Sequence, residues 1–187
     1  HVALLGERRT GKTSLIFETV RRVRGLRLVY AQLWAVKSVE DVASRLLRAI
    51  STTQVRESSF VERVARSLAY LRPRIEFDPT TGQPSITVSP GTKLPPAGLH
   101  GVFDFLEELS VRHRLTVVLD EFQDIRQVDD AKALLGEIRS RIQRPGRVPY
   151  VFAGSVRHEM ERIFRDPSSP FFKSLRTLEV QELSREA

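Results

Sequence analysis

The segment Val2-Ala3-Leu4-Leu5-Gly6-Glu7-Arg8-Arg9-Thr10-Gly11-Lys12-Thr13-Ser14 begins as an apolar run and breaks at a glycine. Four apolar residues of this kind form a short buried strand. Beyond the glycines, Leu15, Ile16, Val20 and Val23 recur at helical spacing, which predicts a helix from about Gly11 to Arg24. Between strand and helix, Gly6 to Thr13 matches G-x-x-x-x-G-K-[ST] at every specified position. Glycines let the backbone curl so that successive N–H groups point at one centre, and a helix N-terminus adds its positive dipole end there. Such a cradle suits phosphate, with Gly6, Glu7, Arg8, Arg9, Thr10, Gly11, Lys12, Thr13 and Ser14 as its lining. Lys12 reaches the β- and γ-phosphates of a nucleotide, and the Thr13 hydroxyl is a ligand for Mg²⁺. Lys12 is expected to project into the cradle and to support no core packing.

A second apolar run, Leu115-Thr116-Val117-Val118-Leu119, delivers two carboxylates at its end, Asp120 and Glu121. A continuous run of this kind is buried on both faces, as in a parallel sheet. Downstream of a phosphate cradle, Asp120 is placed to hold Mg²⁺ and Glu121 to orient or deprotonate an attacking water. An adjacent glutamate favours ATP hydrolysis over kinase chemistry, and the guanine-reading [NT]-K-x-D pattern does not occur, which disfavours GTP. Gln123 and Asp124 follow the carboxylate pair and have two readings, groups that help polarise it or an ordinary polar loop, and the second is favoured. At Ala153-Gly154-Ser155 a further strand ends in a small polar residue. Ser155 has two readings: contact with the γ-phosphate or the lytic water, or an N-cap for the next helix.

Strands are predicted also at Arg27–Leu33, Pro149–Ala153 and Arg176–Val180, and helices at Leu99–Ser110, Asp130–Gln143 and Arg157–Phe164. Ser38 with Asp41 three residues on forms a capping box opening a helix through Ile50, and another helix is expected over Glu57–Leu71, stopped by Pro73. Alternating strands and helices predict an α/β parallel sheet covered on both faces, with Gly6, Asp120 and Gly154–Ser155 along its carboxyl edge. Residues 73–98 differ in kind: they hold six of the ten prolines. Ile75–Phe77 and Ser85–Val88 flank Asp78-Pro79-Thr80-Thr81-Gly82, the pattern of a β-hairpin insertion outside the main sheet.

Composition sets the bounds. At 187 residues, 41% hydrophobic and 28% charged, the chain suits one soluble domain with a sizeable core. No apolar run reaches the length of a membrane span, nothing resembles a signal peptide, and cysteine is absent, so a cytoplasmic protein is expected. The net charge of +7 comes mostly from arginines scattered through helices, and a basic excess favours phosphates or nucleic acid as partners. Arg157, Arg162, Arg165 and Arg176 are candidates for an arginine finger; a solvated role is the commoner one for each. His100, His113 and His158 show no metal spacing, and Trp34 and the phenylalanines read as packing residues.

Gly6–Ser14, the helical stretch ending Tyr70-Leu71-Arg72-Pro73, the hairpin, Leu119-Asp120-Glu121-Phe122-Gln123-Asp124, Ala153-Gly154-Ser155 and Ser169-Pro170-Phe171-Phe172 occur together. The set resembles archaeal-type P-loop ATPases of the AAA+/STAND group, related to origin-recognition initiator ATPases. That resemblance implies a P-loop NTPase three-layer sandwich with a five-stranded sheet in the order 5-1-4-3-2. It implies ATP with Mg²⁺, used as a conformational switch, with self-association or a partner protein, and DNA reached through a neighbouring domain. Such proteins carry a segment before the first strand and a helical lid after the fifth, so the resemblance implies that residues 1–187 are the ATPase core of a longer polypeptide. The alternative expectation is a nucleotide-binding interaction module with little or no turnover; a P-loop nucleotide kinase ranks third.

Overall fold

Four apolar runs pair side by side with buried residues along them, and a fifth, mostly exposed strand, Arg176–Glu179, closes one edge. The structure, a computed structural model, describes residues 1–53, 98–144, 146 and 148–181, and the backbone of 74–77 and 84–87. The strands are β1 (Val2–Leu5), β2 (Leu26–Gln32), β5 (Arg114–Asp120), β6 (Tyr150–Gly154) and β7 (Arg176–Glu179). They form one parallel sheet in the order β2-β5-β6-β1-β7. Counted as five core strands and read from β7, this is the expected order 5-1-4-3-2. Between β2 and β5, β3 (Arg74–Phe77) and β4 (Pro84–Thr87) pair antiparallel in a separate two-stranded sheet, the predicted hairpin. The expected helix at Glu57–Leu71 and the hairpin's turn at 78–83 lie outside the described residues.

Period-two alternation sorts the strand residues between two faces. One face buries Ala3, Leu5, Val29, Ala31, Val117, Leu119 and Phe152 against the helices α2 (Val39–Thr52), α3 (Gly98–Arg112), α4 (Ala131–Ile142) and α5 (Arg157–Phe164). The other face gathers Leu4, Val118 and Ala153 around Ile16 of α1 (Lys12–Arg22). The two sides are unequal. Of the apolar residues expected to form the α1 stripe, Ile16 is buried, whereas Leu15 is 48% exposed. Among the described residues only α1 packs on this face, along a narrow seam, so a residue one position off that seam is left exposed.

Helix boundaries follow local chemistry. Ser38 caps α2, its Oγ accepting from the Asp41 N–H at 3.2 Å, and Asp41 sits in the first turn where a negative charge favours the helix dipole. Among the described residues no helix is long and apolar enough to cross a membrane.

Candidate active site

The carboxyl ends of β1, β5 and β6 bring the residues singled out above to one edge of the sheet. Gly11 precedes α1 with φ of 86°, a left-handed conformation that favours glycine. Gly6 is needed for a different reason: a β-carbon there would lie 2.5 Å from the Val180 carbonyl oxygen, so the loop passes β7 too closely for any side chain. Within the loop, Lys12 is only 7% exposed. Its ammonium donates to the carbonyls of Gly6 at 2.8 Å and Glu7 at 2.5 Å, and lies 3.4 Å from Thr10 Oγ1. Thr10 Oγ1 in turn donates to the Glu7 carbonyl at 3.0 Å. Lys12 thus lies in the loop expected to form the cradle, and its ammonium also ties that loop's carbonyls together. Burial lowers its pKa, against the opposing pull of Glu121 and Asp120.

Asp120, at the end of β5, is 6% exposed. Its Oδ1 accepts the Glu121 N–H at 3.0 Å, and its Oδ2 accepts the hydroxyl of Tyr30 from the neighbouring β2. Burial, then the bond to Asp120, pushes the Tyr30 phenol well above its ordinary range, so it remains a protonated donor. Thr13, in the first turn of α1, is near enough to the phenol to offset part of that effect on its acidity. Thr13 and Asp120 thus both approach the Tyr30 phenol, and both carry hard oxygen donors of the kind Mg²⁺ takes. Among the described residues there is no cluster of three or more His, Asp or Glu side chains suited to a metal, so a cation here would complete its shell with phosphate and water, as Mg²⁺ commonly does.

Glu121 turns the chain with φ of 52°, left-handed and without glycine. Its Oε2 accepts from Ser155 Oγ at 2.7 Å and from Gln123 Nε2 at 2.6 Å. Burial by itself raises the pKa of Glu121; the bonds from Gln123 and Ser155 and the charge of Arg8 together outweigh it, and the net direction is down. Ser155 does not cap the following helix, whose N-cap is Val156 without a side-chain cap bond. The N-cap reading is therefore set aside.

The polar-loop reading of Gln123 and Asp124 is also corrected. Both are buried in a 3₁₀ turn, Phe122–Gln127. Gln123 Nε2 bridges Glu121 and Asp124, at 2.6 and 3.1 Å. Asp124 Oδ2 accepts the Ala35 N–H at 2.7 Å, tying the turn to the loop after β2. A carboxylate and an amide this deep need partners; Asp124 and Gln123 Nε2 find theirs in the Ala35 N–H, in Glu121 and in each other, while Gln123 Oε1 is buried without a hydrogen bond. Phe122 of the same turn packs into an aromatic cluster with Phe152, Phe164 and Phe171. Trp34, expected in packing, is 60% exposed.

Three of the four candidate finger arginines form ion pairs within the chain. Arg157 pairs with Glu161 at 3.1 Å and Glu179 at 3.3 Å, and Arg165 with the same two carboxylates at 3.0 and 2.7 Å. Arg162 lies 3.7 Å from Glu159, and Arg176 is exposed on β7. Arg157 and Glu179 also line a cavity of about 190 Å³ with Gly6, Glu7, Thr10 and Val180, beside the loop. Tyr30 is the site residue that sequence reasoning missed.

No protein-family model and no curated protein matches the sequence. Solved structures do match the fold. A Walker-type ATPase of Pyrococcus abyssi superposes with a TM-score of 0.57 at 18% identity, over 99% of this chain and 49% of that one. The Aeropyrum pernix ORC2 protein, solved as ADPNP–ADP complexes, gives 0.58 at 16% identity over 96% of this chain and 41% of that one. The Aeropyrum pernix ORC1 protein, solved in complex with DNA, gives 0.55 at 18%, over 98% and 39%. The chain spans less than half the length of each of these proteins. It has the fold of the P-loop ATPases related to archaeal origin-recognition initiators.

Proposed function

We propose that this chain is the ATP-binding and ATP-hydrolysing core of a switch protein of the AAA+/STAND type. One observation carries the reading. A buried lysine in a glycine-bounded loop, a Thr–Asp oxygen pair and a hydrogen-bonded glutamate meet at one sheet edge, although they come from three separate segments. In this reading the N–H groups of Gly6–Ser14 wrap the phosphates, and Lys12 leaves the Gly6 and Glu7 carbonyls for the β- and γ-phosphates. Thr13 and Asp120 hold Mg²⁺, which neutralises phosphate charge. Glu121 orients the attacking water and takes its proton, and Ser155 fixes where Glu121 points.

The second reading, a module that holds nucleotide and hardly turns it over, is favoured by the two hydrogen bonds on Glu121 Oε2, which occupy that oxygen and make the carboxylate a weaker base. Calorimetry and phosphate release on the longest natural polypeptide containing residues 1–187 separate the two. Glu121→Gln keeps the shape and removes the base, so ATP–Mg²⁺ binding should persist while turnover falls by about 10²–10⁴-fold. An unchanged rate would sink the assignment of Glu121 as base, and a wild-type rate near zero with firm ATP binding would establish the second reading.

Service in a larger regulatory or DNA-associated protein is part of the proposal. It is supported by the net charge of +7 and by the likeness to a protein solved with DNA. Self-association or a partner protein would complete such a switch.

A further inference from the structure

Two strands of the site meet at a phenol oxygen that no sequence motif marks. Tyr30 stands on β2 in register with Val118 of β5, two residues before Asp120. Its side chain therefore runs along the α1 face of the sheet toward the carboxyl edge. Its ring lies 5.3 Å from that of Phe17 on α1 and borders the small cluster of Leu4, Ile16, Val118 and Ala153. Its hydroxyl donates to Asp120 Oδ2. A nearly buried carboxylate needs donors to hold one orientation. Asp120 has the Glu121 N–H on one oxygen and, among the described side chains, Tyr30 on the other.

We propose that Tyr30 is a positioning residue for the metal-binding pair, holding the Asp120 carboxylate in one orientation at the carboxyl edge of the sheet. Resting on the reading of this edge as an ATP–Mg²⁺ site, it adds a third residue to it. The physical case is that of any outer hydrogen bond to a metal-ligating carboxylate. The bond fixes the ligand before the ion arrives, and its loss commonly costs about 10–100-fold in metal affinity or activity. Phe17 and the apolar cluster keep the ring in place, so the hydroxyl can be removed with the packing left standing.

The test is Tyr30→Phe, read as ADP affinity by calorimetry in EDTA and in saturating Mg²⁺, with Mn²⁺ binding to the ADP-loaded protein followed by EPR. The phosphate cradle uses Lys12 and backbone N–H groups, so affinity in EDTA should match wild type. The gain conferred by Mg²⁺ should shrink, and Mn²⁺ should bind about tenfold more weakly or worse. An equal loss of ADP affinity with and without metal would show Tyr30 to be a structural support of the loop and overturn the proposal. A variant with the full Mg²⁺ gain and wild-type Mn²⁺ affinity would overturn it as well, and leave the nucleotide site untouched. Wild-type protein that binds ADP no better with Mg²⁺ than in EDTA would instead bring down the metal site itself, and Tyr30's role with it.

Discussion

Ser155 and Gln123 spend their hydrogen bonds on one oxygen of Glu121, at 2.7 and 2.6 Å. Bonds to the charged form stabilise it, so they lower the affinity of Glu121 for a proton. A base so held is weak until a donor lets go. Ser155→Ala removes one donor, and the Glu121 pKa should rise toward or above its ordinary value. If Glu121 must be ionised to act, the acid limb of kcat/KM, which reports the free enzyme, should move to higher pH in the variant. An acid limb that stays in place would detach Ser155 from the base. Lys12 gives a second residue-scale expectation. Lys12→Ala should abolish ATP binding and also cost about 1–2 kcal/mol, because the Gly6 and Glu7 carbonyls lose a charged donor. Calorimetry reads the first effect and a urea melt the second; wild-type ATP affinity would remove the cradle assignment.

Among elements, the 3₁₀ turn Phe122–Gln127 decides where the carboxylates point, and its anchor is aromatic. Phe122 lies 4.7 Å from Phe152 and 5.8 Å from Phe171, and Phe171 lies 5.4 Å from both Phe152 and Phe164. Phe171 is fully buried, so Phe171→Ala should cost about 3–5 kcal/mol of stability in denaturant unfolding. A loss under 1 kcal/mol would mean that the cluster closes over the gap. The Ser-Pro-Phe-Phe piece is thus a structural brace, and its proximity to the site is indirect. The turn's role was not legible because Phe-Gln-Asp after two acids has the composition of a solvated loop. Only the tertiary partners Ala35, Glu121 and Ser155 show otherwise. Leu15 misled for a similar reason, since helical period marks an apolar stripe but not how wide a surface will cover it. Strands such as Leu115–Leu119 were legible because burial on both faces leaves a continuous apolar run in the sequence.

At the scale of the molecule, strand order carries what local patterns cannot. Tyr30 became a neighbour of Asp120 because β2 lies beside β5, a pairing that came from family resemblance and not from periodicity. The loop from Gly6 to Ser14, by contrast, names its own chemistry. A site assembled from β1, α1, β2, β5 and β6 cannot survive unfolding of any of them, so a ligand seated there should stabilise the whole domain. At free ATP–Mg²⁺ a hundred times its Kd the linkage is about 2.7 kcal/mol. For a domain of this size that is a rise in Tm of about 5–11 °C. Lys12→Ala, lacking the cradle's charge, should show no rise at the same concentration. Glu121→Gln, which keeps the cradle, should show the full rise. Thermal shift across the three proteins checks this directly. A rise in wild type that persists in Lys12→Ala would place the nucleotide elsewhere, with the arginine-lined cavity beside α2, formed by Tyr30, Arg45 and Arg48 among others, as the first place to look.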